Sequence, residues 1–226
     1  IKEIDDGEVL PSYIKELRIY KGATGICRDD SDICISILNT GKDYPDEIFD
    51  GGILYHYPNT IERSKSFDIN ETNSLKKCAS LKLPIFIISP GNNTKKRTVR
   101  FGWVEDYDDD SELFLIKFGE TQPIQSQEIV EQEFVPKTKR RKRTKEGGTR
   151  SNNQAKFRFD VLKRYGTKCA VCNIENKYIL DAAHIIPVDK DGTDDPRNGL
   201  ILCKNHHAAF DRNMFSINLS DFSIEN

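Results

Sequence analysis

Two pairs of metal-binding residue types lie in the C-terminal half of the 226-residue sequence. Cys169 and Cys172 are separated by two residues, and so are Cys203 and His206. Thiolate and imidazole groups in two such tight pairs are the ligands with which proteins close a tetrahedral structural zinc site. The spacing therefore predicts a zinc ion held by these four residues. In so small a module the ion would contribute directly to folding.

Two further histidines lie outside this quartet. His184 is placed at the end of a predicted strand, and His207 follows the last zinc ligand, with Asp211 four residues later on the same helical face. A neutral imidazole can take a proton from water near pH 7. A histidine and a carboxylate at positions i and i+4 can hold a divalent ion against a phosphate. Together with Asn198, these residues indicate hydrolysis at a phosphate group.

A helix and a hairpin are predicted to position these side chains. The helix runs from Ser151, its cap, to about Tyr165, and Gly166 supplies the stop. It is followed by a strand over 178–186, a polar loop over 189–195, a second strand over 200–202 and a short helix over 205–212. The predicted order is thus helix, hairpin with a long loop, and helix.

From Phe157 to about Phe215 the sequence resembles the HNH nuclease family, which has a ββα-metal fold. The resemblance rests on Cys169-x2-Cys172, Ala183-His-Ile-Ile-Pro187, Arg197-Asn-Gly-Leu200 and Leu202-Cys-x2-His-His207-x3-Asp211. It is greatest to the branch found in bacterial modification-dependent restriction enzymes. The resemblance implies that His184 is the general base, that Asn198 orients it, and that His207 binds a catalytic Mg²⁺, Mn²⁺ or similar ion. Asp211 falls where some relatives carry a second ligand.

One position departs from the family pattern. Many members carry Asp or His immediately before the general base as a further metal ligand, but here Ala183 occupies that place. Asp181 is predicted on the same strand face one pleat repeat away, about 6.5–7 Å. We therefore keep Asp181 as a third candidate ligand, which would reach the ion through water or a bulge.

The N-terminal part has mainly strand signals. The predicted strands are 17–20, 33–37, 52–57, 85–88, 99–104 and 113–118, which are short, rich in β-branched and aromatic residues, and separated by turn residues. One helix is predicted over about Asn70 to Ser80, capped by Asn73 or Ser74, with Leu75, Cys78 and Leu81 on one face. Cys27, Cys34 and Cys78 are predicted to be buried, reduced thiols.

Aromatic residues and carboxylates alternate with glycines between Tyr44 and Tyr57. Aromatic faces can sandwich a base, and a carboxylate can accept a hydrogen bond from a cytosine amino group. The order of segments over about Leu17 to Phe118 resembles the SRA (SET and RING associated) domain, which has a PUA-like β-barrel and flips a modified cytosine out of duplex DNA. The resemblance implies that Tyr44 and Tyr57 stack on the base, with Tyr55 as an alternative to Tyr57. It also implies that Asp46 or Glu47 reads the base edge.

Charge divides the chain in a way that the net charge of −2 conceals. Residues 1–135 carry 16 Lys and Arg against 25 Asp and Glu, whereas residues 136–226 carry 18 against 11. A basic half suggests a polyanionic partner, because phosphate contacts dominate nucleic-acid affinity. The run 137–145 contains seven basic residues in nine. It predicts a linker that also contacts the DNA backbone, with Lys139, Arg140, Arg141, Lys142 and Arg143 as the candidate residues.

These observations predict an α+β protein of two domains. An SRA-like reader over 1–135 would be joined by a basic linker over 136–150 to a zinc-stabilised HNH nuclease over 151–226. No segment is long and apolar enough to span a bilayer, and the visible start has no signal-peptide pattern, so we expect a cytoplasmic bacterial protein without a membrane partner.

The predicted function is a modification-dependent DNA endonuclease that binds double-stranded DNA carrying a modified cytosine and cuts nearby. One active site cuts one strand, so cutting both calls for a homodimer or two binding events. Two alternatives remain open. The first is an HNH nuclease with a different N-terminal recognition domain, and the second is a zinc-containing DNA-binding protein that does not cleave. The modification itself, whether methyl, hydroxymethyl or glucosyl, is also left open.

Overall fold

The computed structural model of the chain describes residues 2–5, 25–40, 46–61, 63–91, 96–121, 133–137, 150–218 and 223–225. The chain divides into two compact units, Ile1–Gln127 and Glu128–Asn226. Within the described residues, the first contains one large sheet and one long helix, and the second contains two small hairpins with two α-helices, so the predicted α+β class is confirmed. None of the helices in the described ranges is long and apolar enough to cross a membrane.

The first unit is built on an eight-stranded mixed sheet. Its strands are β1 (Lys2–Asp5), β2 (Ile26–Arg28), β3 (Cys34–Leu38), β4 (Glu47–Phe49), β5 (Gly52–His56), β6 (Ile85–Pro90), β7 (Lys96–Asp108) and β8 (Leu113–Phe118). They lie in the order β2-β3-β6-β7-β8-β5-β4, and β1 pairs with β7. Among the strands in the described ranges, only β3 and β6 pair in parallel. Among the described strands no pairing joins β2 to β4, so the PUA-like barrel stays a prediction.

Most predicted strands of this unit are confirmed. β3, β5, β6, β7 and β8 coincide with predicted segments, although β7 is longer than expected. Strand β5 is buried along its whole length, because it lies between β4 and β8 and packs into the core. The short strands β1, β2 and β4 were not predicted, and the strand expected over 17–20 lies outside the described residues. Cys27, Cys34 and Cys78 are buried and unbridged, as predicted.

The helix of the first unit, α1 (Lys65–Leu81), starts five residues earlier than expected. Ser64, not Asn73 or Ser74, is its cap, since the Ser64 side chain accepts a hydrogen bond from the Ser66 N–H. Ser74 lies in the helix interior, where its Oγ donates to the Glu71 carbonyl at 2.7 Å. Leu75 and Cys78 face the core as predicted. The prediction for Leu81 is wrong, because that side chain is 56% exposed.

The second unit begins with α2 (Arg150–Tyr165), which starts one residue before the predicted cap. The helix ends as predicted, since Gly166 has a φ of +78° and donates its N–H to Leu162 at 2.8 Å. The helix packs closely on the following hairpin. A Cβ at Gly199 would lie 2.3 Å from Val161, so only glycine allows this approach.

The hairpin consists of β9 (Leu180–His184) and β10 (Gly199–Cys203), which pair antiparallel with Gly199 opposite His184. Helix α3 (Lys204–Phe210) follows β10 without a loop. The predicted strand–loop–strand–helix order is therefore confirmed, with a shorter first strand because 177–179 forms a 3₁₀ turn. A second hairpin, β11 (Ser216–Ile217) with β12 (Ile224–Glu225), follows.

The second unit begins at Glu128, so it includes residues that precede the predicted linker as well as the start of that linker. Phe134 lies under the Arg197 guanidinium, whose carbon is 5.0 Å from the ring centroid, and Lys137 forms an isolated β-bridge with Gly192. The division between units therefore falls before residue 135. Residues 138–149, with Lys139, Arg140, Arg141, Lys142 and Arg143, lie outside the described residues, so the linker and its DNA contacts stay predictions.

Candidate functional site

The four predicted zinc ligands lie together. Cys169 and Cys172 are in the turn after α2, Cys203 ends β10, and His206 is in the first turn of α3. Their ligand atoms all lie within 4.8 Å of one another, an arrangement that could hold a metal ion. The His206 Nδ1 is 3.2 Å from the Cys203 Sγ and 3.6 Å from the Cys169 Sγ. Three sulfurs and one nitrogen at these separations suit tetrahedral zinc.

The electrostatics of the cluster also favour a cation. Burial raises the pKa of the Cys169 thiol, but backbone N–H groups, above all that of Cys203 at 3.3 Å from the sulfur, outweigh it and bring the pKa to about 6. An N–H of Ile174 lowers the pKa of Cys172, yet burial and the neighbouring thiols together raise it above its ordinary value. Neighbouring thiols resist ionising at the same time, because their negative charges repel. A cation between them stabilises the thiolate forms together.

His184 ends strand β9 and is held from two sides. Its ring stacks on Phe157 of α2, with centroids 3.7 Å apart and planes 7° from parallel. Its Nε2 lies 3.0 Å from the Asp194 Oδ1. Phe157 is 1% exposed, whereas the His184 side chain is 17% exposed. A fixed imidazole that still reaches solvent can exchange a proton with a water molecule.

Asn198 immediately precedes β10 and fixes the loop between β9 and β10. Its Oδ1 accepts the Ile186 N–H at 2.9 Å, and its Nδ2 donates to the carbonyls of Ile186 at 3.0 Å and Thr193 at 2.8 Å. The side chain is buried, so these bonds replace water that it cannot reach. Gly192 allows the loop to close, since a Cβ there would lie 1.8 Å from the Ile186 carbonyl oxygen.

His207, Asp211 and Asp181 form a second polar group. The His207 Nδ1 is 3.1 Å from the Asp181 Oδ2, and the His207 Nε2 is 3.6 Å from the Asp211 Oδ2. On its other side, the Asp181 Oδ1 lies 3.7 Å from the Nε of Arg158, a residue of α2. The structure thus brings all three predicted metal-site residues together, with His207 between two carboxylates.

Each of these contacts shifts a pKa. The hydrogen bond with Asp181 raises the pKa of His207 against the opposite effect of burial, and the Asp211 carboxylate adds to it. Burial alone would raise the pKa of Asp181. His207, the N–H of Ala182 and the Arg158 guanidinium outweigh burial and hold the pKa of Asp181 below its ordinary range. The site therefore favours an ionised carboxylate next to the imidazole.

The aromatic residues predicted to form a base pocket lie either outside the described residues or in buried positions. Tyr44 lies outside the described residues. Tyr57 is 8% exposed, and its ring packs on Phe114 with centroids 4.5 Å apart. Its hydroxyl donates to Asp109 at 3.0 Å, and burial followed by this bond raises the pKa of Tyr57 far above its ordinary value. The alternative, Tyr55, is also buried, and its hydroxyl donates to the Gly25 carbonyl at 3.2 Å.

The two candidate carboxylates of that pocket differ in surroundings. The Asp46 Oδ1 accepts the backbone N–H of His56 at 2.9 Å and lies 3.2 Å from its Nδ1. Both side chains of this pair are buried, at 3% and 2% exposure. Glu47 is exposed at the start of the edge strand β4. Asp46 is thus the carboxylate that the hairpin of β4 and β5 holds in a fixed position.

Three residues of the site were not predicted. Neither Phe157 nor Arg158 was chosen among the helix residues, and Asp194 was one of several acids in a polar loop. Arg158 lies on the same helical stripe as Ala155 and Leu162, and this position is the pattern that could have indicated it. The partners of Phe157 and Asp194 depend on tertiary packing and leave no local pattern.

The comparisons with known proteins agree with the second unit. The HNH_2 family model, described as HNH endonuclease, matches residues 169–218, a range that contains the cysteine cluster, His184, Asn198, His207 and Asp211. A solved structure titled "Modification dependent TagI restriction endonuclease" is similar with a TM-score of 0.36 and 16% identity, over 90% of this chain and 75% of that chain.

A TM-score this low does not establish a common fold. None of the curated proteins matches the chain at a significant level. The family match nevertheless covers the hairpin, α3 and both polar groups of the second unit. Residues 169–218 therefore match an HNH endonuclease domain, and the prediction of an HNH endonuclease is confirmed.

Proposed function

We propose that the chain is a modification-dependent DNA endonuclease. Its second unit hydrolyses phosphodiester bonds, and its first unit selects duplex DNA that carries a modified cytosine. The observation that carries the proposal is the arrangement in the second unit, where His184 is held at the end of β9 and the His207 Nε2 lies 3.6 Å from the Asp211 Oδ2. A base and a pair of metal-ligand atoms are what hydrolysis of a phosphodiester needs.

His184 is the proposed general base. It takes a proton from a water molecule, the water oxygen bonds to phosphorus, and the bond from phosphorus to the leaving oxygen breaks. The leaving oxygen then receives a proton from solvent. Asn198 does not touch the reacting atoms in this scheme, but it holds the loop that carries Asp194 to the His184 ring.

His207 and Asp211 are the proposed ligands of a catalytic Mg²⁺ or Mn²⁺ ion. Two ligand bonds of about 2.0–2.2 Å can both reach one ion across 3.6 Å. Such an ion, held by these two residues, would supply stabilisation of the negative charge on the phosphate. Asp181 contacts the opposite nitrogen of His207, so we propose that it supports this ligand directly. Carboxylates commonly orient metal-binding histidines in this way.

Zinc is the proposed occupant of the Cys169, Cys172, Cys203 and His206 cluster. Helix α3 has seven residues, which is too short to be stable alone. Ligation of the Cys203 sulfur before it and the His206 nitrogen within it would hold the helix against the turn after α2. We therefore assign this cluster a structural role and assign the chemistry to His184 and His207.

The first unit is the proposed reader. The support is the SRA-like order of its sequence segments and the buried position of Asp46, whose contacts with His56 both use Oδ1. We propose that Oδ2 accepts a hydrogen bond from the cytosine amino group, which is the contact expected of a carboxylate at a cytosine. Tyr44 is the proposed stacking residue. Tyr57 would support the pocket from the core rather than by direct stacking.

The basic run supplies affinity that the acidic reader lacks. We propose that Lys139, Arg140, Arg141, Lys142 and Arg143 contact phosphates, because sequence-independent binding to DNA comes mainly from such charges. Base flipping costs a few kcal/mol, so a reader benefits from a second contact that holds the duplex. A homodimer would supply the two active sites that a double-strand cut requires.

Cleavage of matched plasmids tests the proposal. Plasmids without modification, with 5-methylcytosine and with 5-hydroxymethylcytosine would be incubated with Mg²⁺ or Mn²⁺, with EDTA as control. We expect metal-dependent cutting of a modified plasmid and none by His184→Ala, which should still bind DNA. Equal cutting of all plasmids would reject the reader and keep the nuclease. Equal cutting by wild type and His184→Ala would reject the mechanism.

A pair of variants tests the reader separately. Asp46→Asn replaces the proposed acceptor with an amide of the same shape, and Glu47→Gln makes the same change at the exposed neighbour. We expect Asp46→Asn to lose the preference for modified over plain duplex, and Glu47→Gln to keep it. The opposite result would assign base reading to Glu47. Because Asp46 also contacts His56, the melting temperature of both variants must be compared with that of wild type.

A further inference from the structure

The loop between β9 and β10 brings a carboxylate to the proposed general base. The Asp194 Oδ1 lies 3.0 Å from the His184 Nε2, and the two side chains are 39% and 17% exposed. Within the described residues, this contact is the hydrogen bond that the His184 ring makes. We propose that Asp194 is a positioning residue that holds His184 as the Nε2–H form, and that Nδ1 is therefore the atom that takes the proton from water.

The position of Asp194 is fixed by its neighbours. The preceding Thr193 accepts a hydrogen bond from the Asn198 Nδ2 at 2.8 Å through its carbonyl. The Thr193 hydroxyl accepts the N–H of Asp195 at 3.2 Å, and the Asp195 carboxylate accepts the N–H of Arg197 at 2.9 Å. The backbone on both sides of Asp194 is thus tied down, although its side chain is partly exposed.

The ring of His184 has an equally defined orientation. Stacking on the buried Phe157 at 3.7 Å keeps the imidazole plane parallel to the phenyl plane. Within that plane one nitrogen faces Asp194. A carboxylate accepts hydrogen bonds but donates none when ionised, so the nitrogen that faces it carries the proton. The tautomer of a histidine follows from the partner of its other nitrogen in this way.

The assignment has a chemical consequence for the hydrolytic step, and it rests on the proposed function. When Nδ1 takes a proton from water, the ring becomes an imidazolium next to the Asp194 carboxylate. The electron pair of the broken O–H bond becomes the new bond to phosphorus, and the pair of the broken P–O bond leaves with the departing oxygen. The carboxylate stabilises the positive ring that forms in this step.

Kinetics test whether Asp194 acts through His184. Single-turnover cleavage of a cytosine-methylated supercoiled plasmid would be measured with saturating enzyme for wild type, Asp194→Ala and Asp189→Ala, the last of which removes a carboxylate from the same loop. We expect the rate of Asp194→Ala to fall by about 10²-fold, within the range of general-base effects, and that of Asp189→Ala to stay near wild type. In the His184→Ala background, Asp194→Ala should cause no further loss. Additive losses would overturn the proposal.

Two readouts do not depend on cleavage. The chain has four histidines, so ¹⁵N–¹H correlation spectra can resolve their tautomers, and His184→Ala identifies the relevant signal. We expect an Nε2–H form in wild type and a mixture in Asp194→Ala. A protonated Nδ1 with a bare Nε2 in wild type would overturn the assignment even if no plasmid is cut. Mn²⁺ affinity measured by calorimetry should be unchanged in Asp194→Ala. A loss would make Asp194 a metal ligand and reject the positioning role.

Discussion

Replacement of Asn198 should destabilise the second unit more than any other polar change in the hairpin loop. The Asn198 side chain is 1% exposed and makes three hydrogen bonds, to the N–H and carbonyl of Ile186 and to the carbonyl of Thr193. In Asn198→Ala these backbone groups lose their partner inside the protein. At about 1 kcal/mol for each bond, the free energy of unfolding should fall by about 3 kcal/mol.

A second variant separates the acceptor from the donors. Asn198→Asp keeps the oxygen that accepts the Ile186 N–H, but it replaces the NH₂ group with an oxygen facing two carbonyls at 2.8 and 3.0 Å. We expect it to be at least as destabilising as Asn198→Ala, because oxygens then face each other in a buried place. Asn173→Ala is a matched control, since Asn173 is exposed in the same unit.

Urea denaturation in the presence of excess zinc would measure these changes. For a unit of this size, about 3 kcal/mol corresponds to a melting temperature lower by roughly 12–24 °C. Cleavage should fall with stability and also at temperatures where the variant remains folded, since the loop that carries Asp194 is no longer tied to β9. A fully folded Asn198→Ala protein with wild-type stability would refute the role of Asn198 as the anchor of the loop.

Three other perturbations have defined outcomes. Cys169→Ser, or a strong chelator, should remove one equivalent of zinc by elemental analysis and unfold α3 by circular dichroism, whereas Cys27→Ser should keep the zinc. Gly192→Ala would place a Cβ 1.8 Å from the Ile186 carbonyl, so we expect lost cleavage with an unchanged zinc content. The Lys76 ammonium, with the Tyr57 hydroxyl, holds the pKa of Asp109 below its ordinary value. Asp109 therefore contributes stability above its ordinary pKa and loses it as the pH falls through the lowered value, and Lys76→Met should raise this pKa in a carboxyl NMR titration.

Local patterns predicted the second unit well. The spacing of Cys169, Cys172, Cys203 and His206 was sufficient for the metal cluster, because ligands in tight pairs need little from the rest of the fold. The hairpin and α3 followed from short apolar runs between turn residues. What the sequence did not reveal is which side chains meet across the hairpin loop, since the Asp194 contact with His184 depends on the loop conformation that Asn198 holds.

The first unit was predicted less completely for a different reason. Its strands are clear in the sequence, but the helix start was set by Ser64 and by an ion-pair cluster in which Arg63 contacts both Asp68 and Glu71. The apolar periodicity becomes clear only later in the helix, which shifted the predicted start. Tyr57 looked like a stacking residue by its position in the segment, whereas packing on Phe114 and the bond to Asp109 place it in the core. An aromatic residue in a hairpin can stack on a base or pack in the core, and only its burial in the structure distinguishes the two roles.

His206 and His207 are adjacent in the chain, so the proposed zinc site and the proposed catalytic metal site are linked. His206 lies in the cysteine cluster, and the next residue faces Asp181 on β9 through Nδ1 and Asp211 through Nε2. Because α3 is too short to hold its own shape, the position of His207 depends on the ligation of its neighbour and on the Asp181 contact. Loss of the proposed zinc ion should therefore weaken Mn²⁺ binding as well as folding, although none of its four proposed ligands is a proposed ligand of the catalytic ion. The Asp181 contact alone should be insufficient, since one hydrogen bond to a charged group contributes only about 1.5–3 kcal/mol against the fraying of a whole helix.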